Sequence, residues 1–145
     1  MAIAAAAALL ALAPVPSASP MTHAAEIPAS QQAFASCVAH RESHGNYKAR
    51  HAEAGSSAAG RWQFLDNQWR HGLSFMVRDR LVKFGAPKQA ANKILTHLKA
   101  TPINHWEPQY QNIGFVAALN ARGKWSGAHH WIVTGSRCNR LIPFK

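Results

Sequence analysis

The sequence predicts a mostly α-helical single domain carrying a small β or irregular element after Gly45. Two observations lead there. Apolar residues recur at helical spacing in successive segments, whereas alternating strand patterns are scarce. The length, 145 residues, also suits one domain.

Residues 1–13 are almost all Ala and Leu and end at Pro14 and Pro16. The run is too short for a membrane-spanning helix, which needs roughly 20 apolar residues. It has the length of a signal-peptide core, and small residues follow it. The expected leader is residues 1–24, cut near Thr22-His23-Ala24, although no Lys or Arg precedes the apolar core. Met21 as the true start and a disordered Ala-rich tail are the alternatives. Residues 14–29 are rich in Pro, Ala and Ser and read as linker, which leaves 25–29 between leader and domain. The domain itself is expected over 30–145.

Ser30 is the expected N-cap of the first domain helix. Phe34, Cys37, Val38 and Arg41 follow at helical spacing, and Gly45 is expected in the left-handed position that ends it. Gly45, Gly55 and Gly60, with Ser56 and Ser57, predict a loop or hairpin. A second helix is expected to start after Asp66 or Asn67, with Asp66 as cap, carrying Trp69, Leu73, Met76 and Leu81 despite Gly72. Pro87 suits the first turn of a third helix, whose stripe is Ala90, Ala91, Ile94, Leu95 and Leu98. Pro108 opens a fourth, with Ile113, Val116, Ala117 and Asn120 on one face and Gly123 expected to close it. The tail from Lys124 has no clear period.

The net charge is +10, from sixteen Lys and Arg against six Asp and Glu. Such a field attracts polyanions, among them nucleic acid, anionic membrane and bacterial wall. The basic residues are spread along the chain and form no recognition motif, which argues against nucleic acid. Cys37 and Cys138 are 101 positions apart. An even count in an exported chain favours a bridge between them, with two buried thiols as the alternative.

The chemistry-bearing residues concentrate in His40-Arg41-Glu42-Ser43-His44-Gly45-Asn46-Tyr47, in Gly60-Arg61-Trp62-Gln63-Phe64, and at Trp69. Glu42 falls in the last turn of its helix. The unpaired carbonyls there disfavour an ionised carboxylate, as would packing beside aromatic rings; the abundant positive charge acts the other way. A carboxylic acid held protonated can protonate a glycosidic oxygen.

Glu42-Ser43-His44-Gly45-Asn46-Tyr47 resembles the Glu-Ser-Gly-Gly-Asn-aromatic segment of resuscitation-promoting factors and related lytic transglycosylases. Gly60-Arg61-Trp62-Gln63-Phe64 with Trp69 resembles their Gly-Gly-Leu-Gln-Phe…Trp segment, in the same order and with the same spacing from glutamine to tryptophan. The resemblance covers Phe34 to about Trp69. It implies a lysozyme-like fold and cleavage of the β-1,4 bond between N-acetylmuramic acid and N-acetylglucosamine in peptidoglycan. By position it makes Glu42 the catalytic acid and base. Gln63 becomes the cleft glutamine, with Trp62, Asn46 and Tyr47 as further substrate-binding residues. His44 departs from the motif's glycine. Arg41 stands where the family has its cysteine, and the loop between Glu42 and Gln63 is longer.

A glycosidase normally uses two carboxylates, and Glu53 is the serious candidate for a second. A one-carboxylate site suits a lytic transglycosylase. Glu42 would protonate the leaving oxygen and then deprotonate the muramic C6 hydroxyl, giving a 1,6-anhydro product. Lysozyme-type hydrolysis by water is the alternative. So is a non-catalytic cationic module binding cell wall or nucleic acid. His40 and His44 share a helix face, and His51, His129 or His130 offer a third nitrogen. Glu42, two residues after His40, is out of register with the zinc-protease pattern, so no metal site is expected. The expectation is thus a monomeric, exported, wall-associated or virion-carried enzyme. It would act on peptidoglycan glycan strands, with no cofactor, no nucleic-acid partner and no integral membrane segment in its mature form.

Overall fold

The computed structural model describes residues 19–50, 56–122 and 127–143. The first element, α1 (Pro20–Ala25), lies where the composition reads as linker and leader. Ser19 Oγ accepts the Thr22 N–H at 3.3 Å, and Pro20 occupies the first turn, where its missing donor costs nothing. Ala24 is fully buried, and its carbonyl accepts from Arg80 Nε at 2.7 Å. The linker reading of residues 14–29 is therefore corrected over 20–25. The Pro-Ala-Ser composition hides a capped turn that packs into the domain.

Helix α2 (Ala29–Ser43) follows the predicted spacing and buries Gln31, Phe34, Ala35, Val38 and Ala39. Pro28, not Ser30, takes the cap position, with no side-chain cap. Gln31 and Asn120 exchange amide hydrogen bonds of 2.9 and 3.3 Å, which ties α2 to a segment 89 positions further along the chain. The helix ends where the glycine predicts, with Ser43 its last residue and His44 its cap. His44 is already left-handed at φ 52°, and Gly45 follows at φ 82°. The Gly45 N–H closes back onto the Ala39 carbonyl at 3.0 Å.

The expected β element is a two-stranded antiparallel ribbon, β1 (Ala58–Ala59) and β2 (Phe64–Leu65), pairing Ala58 with Leu65 and Ala59 with Phe64. Helix α3 (Asp66–Lys83) then starts directly. Asp66 is its first residue rather than its cap, and its carboxylate instead accepts the Ile103 N–H at 2.8 Å and faces Arg70. Gly72 is exposed and does not break α3, because Trp69, Leu73, Val77 and Leu81 hold one face in the core. Helix α4 (Lys88–Ala100) returns against α3 after a turn at Gly85, and buries Ala91 and Leu98 from its predicted stripe.

Helix α5 (Pro108–Leu119) is the centre of the fold. It buries Gln111, Ile113, Gly114, Phe115, Val116, Ala118 and Leu119, far more than one face. It stops at Leu119, short of Gly123, which lies outside the described residues. The aperiodic tail resolves into two 3-10 segments, Gly127–Trp131 and Arg137–Leu141, too short to show a helical period. The second is fastened to α2 by a disulfide between Cys37 and Cys138, with Cα atoms 5.6 Å apart. Among the described residues, the chain is a mostly helical domain with one small sheet, and no helix is long and apolar enough to cross a membrane.

Candidate active site

The two sequence segments that carry the motifs meet in space. Left-handed backbone at His44 and Gly45 reverses the chain after α2, so residues 46–50 run back beside the ribbon. The Gly60 N–H donates to the Ala49 carbonyl at 2.8 Å, and buried Ser43 donates its hydroxyl to the Arg61 carbonyl at 2.7 Å. Arg61 donates from Nη1 to the Tyr47 hydroxyl at 2.9 Å. Gln111, 1% exposed on α5, joins both segments. Its Oε1 accepts the Arg61 N–H at 2.9 Å, and its Nε2 donates to the carbonyls of Tyr47 at 2.9 Å and Trp106 at 3.0 Å. A buried amide with these groups paired is a rigid joint.

Glu42 occupies the last turn of α2 with its side chain 23% exposed. Arg41 forks onto a single oxygen of that carboxylate: Nε donates to Oε1 at 2.8 Å, and Nη2 reaches the same atom. The remaining donors of Arg41 reach the C-terminal segment. Nη1 donates to Ser136 Oγ at 2.9 Å, and Nη2 to the Trp131 carbonyl at 2.8 Å. Arg41 enters the sequence reading only as a departure from the motif, and Gln111, Trp131 and Ser136 do not enter as site residues at all. The cysteines carried a usable signal. Once Cys138 is bonded to Cys37, residues just before it must lie near Arg41, one turn along α2.

Gln63 sits in the turn between the strands at φ 51°, a conformation side chains rarely adopt. Its Nε2 donates to the Gly60 carbonyl at 2.8 Å. Its Oε1 is buried and takes no hydrogen bond from the described residues. Strained backbone and an unsatisfied acceptor at a motif position are features that concentrate where ligands bind.

The other expected residues divide. Trp62 is corrected: it is 1% exposed and stacks on Phe115 at 3.9 Å, so its ring fills the core and offers no face to a sugar. Tyr47 is half-buried, with its hydroxyl donating to Asn112 Oδ1 at 3.0 Å, and it supports the turn. Asn46 is exposed, and its Oδ1 accepts the Lys48 N–H at 2.9 Å. Glu53 lies outside the described residues, as does His51. The His40 and His44 rings meet edge to face at 5.3 Å, and among the described residues no three metal-binding side chains gather.

From Arg41 a run of aromatic contacts leads to α3. Trp131, whose carbonyl holds Arg41, donates its indole N–H to the Trp62 carbonyl at 2.9 Å and packs edge-on to Phe64. Its neighbour His130 lies edge-on over Trp69 at 4.0 Å. Burial, and secondarily the charge of His129, hold the His130 imidazole below its ordinary pKa. Trp69 then lines a groove of about 500 Å3 with Gln68, His71, Gly72, Phe75, Met76 and Asp79.

No known family, curated protein or solved structure matches the chain. What the arrangement can do must be read from its own geometry. It holds a carboxylate whose Oε1 is held by a cation and whose Oε2 takes no hydrogen bond from the described residues. The turn that Ser43 and Gln111 tie to the same segment carries Gln63, whose buried Oε1 takes no hydrogen bond from the described residues. The second oxygen of that carboxylate is placed to exchange a proton.

Proposed function

We propose that the chain cleaves the glycan strands of bacterial peptidoglycan at the β-1,4 bond between N-acetylmuramic acid and N-acetylglucosamine, with Glu42 as the proton-transferring group. The observation that carries this reading is the joining of the two motif segments through Ser43, Tyr47, Arg61 and Gln111, next to a partly buried Glu42. The resemblance of both segments to lytic transglycosylases supports it, and so does the net charge of +10, which an anionic wall attracts.

In this reading Glu42 protonates the glycosidic oxygen from Oε2 as the bond to the leaving sugar breaks. The resulting carboxylate then accepts the proton of the muramic C6 hydroxyl as that oxygen attacks C1, which closes a 1,6-anhydro ring. Two described carboxylates are committed elsewhere: Asp66 to the Ile103 N–H and Asp79 to Arg78.

The test is a digest of purified peptidoglycan, read by mass spectrometry, with Glu42→Gln as control. Anhydro-muropeptides are expected from the wild type. The Gln variant should be on the order of 10²- to 10⁴-fold slower, the range a lost general acid gives. Reducing ends would replace the intramolecular attack by water. No cleavage by folded wild type would refute the proposal.

A further inference from the structure

Arg41 is an unusual neighbour for a proton-transferring carboxylate, and each of its contacts has a direction. Residues adjacent on a helix point about 100° apart, so Arg41 must bend back to meet Glu42. It does so with two donors on Oε1 and is held there by two acceptors from the far end of the chain, the Trp131 carbonyl and Ser136 Oγ. Those acceptors are in turn fixed. The Trp131 ring is 2% exposed and bonded to the Trp62 carbonyl, while Ser136 caps the 3-10 segment whose Cys138 is bonded to Cys37. A planar guanidinium tied at both ends is a stiff lever, because its donors lie in one fixed fork.

We infer that Arg41 is the positioning residue of the candidate site. Seated on Trp131 and Ser136, it grips Glu42 Oε1 and so fixes the direction of Oε2, the oxygen that exchanges protons with substrate. This inference rests on the peptidoglycan-cleaving reading. It concerns a residue that the resembled motif does not supply, since its cysteine stands at this position. Arg41 acts through Glu42 and need not touch the glycan. Its loss should therefore fall on turnover and leave affinity alone. Lys at this position keeps the charge but cannot fork onto Oε1 while holding two acceptors.

The experiment measures kcat and KM separately on soluble glycan strands for wild type, Arg41→Lys, Ser136→Ala and the double variant, with unfolding midpoints recorded in parallel. Arg41→Lys is expected to lower kcat on the order of 10- to 100-fold, the scale of a misplaced reacting group, with KM within about twofold. Ser136→Ala removes one seat without touching Glu42 and should lower kcat by less. Its effect should disappear in the Arg41→Lys background, because both act through one contact. Unchanged kcat in Arg41→Lys, a loss confined to KM, or fully additive losses would overturn the inference while leaving the cleavage reading standing. Wild type that cleaves nothing would overturn both. The Glu42 carboxyl carbon, followed by NMR in labelled protein, reads the grip directly. It should differ between wild type and Arg41→Lys at equal fold stability, and identical spectra would overturn the pairing.

Discussion

Replacing Gly60 with Ala should strike the joint that holds the candidate site together. Gly60 has φ 77°, a left-handed conformation that costs an L-residue about 1–2 kcal/mol. The added methyl would collide with Gln111 Oε1, 3.1 Å from Gln111 Cδ and 3.3 Å from Ile103 Cγ2. Gln111 cannot swing aside cheaply. It is buried and holds the Arg61 N–H and the carbonyls of Tyr47 and Trp106. Leaving one of these interior groups unpaired costs about 1–3 kcal/mol. The expected loss is about 2–5 kcal/mol, a large part of the stability of an ordinary domain. Urea unfolding with the disulfide intact measures it, as a shifted midpoint at constant slope. Repeating the substitution in a Gln111→Ala background removes the collision and should leave the backbone cost of about 1–2 kcal/mol. A Gly60→Ala protein within about 0.5 kcal/mol of wild type would refute the reasoning, as would equal costs in both backgrounds.

Three further outcomes are expected. Replacing both Cys37 and Cys138 with Ser should cost about 2–5 kcal/mol in urea unfolding, since the bridge closes a loop of 101 positions; a loss under about 1 kcal/mol would contradict that. His130 has its pKa lowered in the fold, so the unfolded chain binds the proton more readily. Its contribution is fully present above the unfolded value of about 6.5 and is lost as pH falls through the folded value. Thermal unfolding from pH 7.5 down to 5 should therefore fall more steeply for wild type than for His130→Gln, and parallel curves would remove His130 as the cause. Trp62→Phe should lower stability by about 1–3 kcal/mol with KM for glycan unchanged, and the reverse pattern would move the ring into the cleft.

The long helices were legible because burial repeats along them. Phe34 and Val38 on α2, and Trp69, Leu73 and Leu81 on α3, fall where the spacing predicts. Pro87 and Pro108 mark the starts of α4 and α5. Three things were less visible. Helix α1 has six residues, too few for a period to emerge from a Pro-Ala-Ser background. Helix α5 is buried nearly all round, so choosing one face understated it: Phe115 and Ala118 are as inaccessible as Ile113 and Val116. Trp62 follows Arg61 in a turn, where no periodicity tells an inward ring from an outward one. At the candidate site, Glu42 and Gln63 stood out by motif. Arg41, Gln111 and Ser136 act through contacts spanning 50 positions or more, and local sequence patterns carry no trace of such distances.

The closure of the chain around α2 also sets an order of events during synthesis. Gln31 reaches Asn120, Cys37 reaches Cys138 and Arg41 reaches Ser136, across 89, 101 and 95 positions. Contacts of such high sequence separation form late, and domains generally fold as whole units. A growing chain can build α2, α3 and α4 and still lack every acceptor that seats Arg41. The surroundings of Glu42 are therefore completed only when residues 131–138 have emerged and the thiols have met an oxidant. Any activity that depends on that carboxylate would switch on with residues 131–138 and the closing of the Cys37–Cys138 bridge.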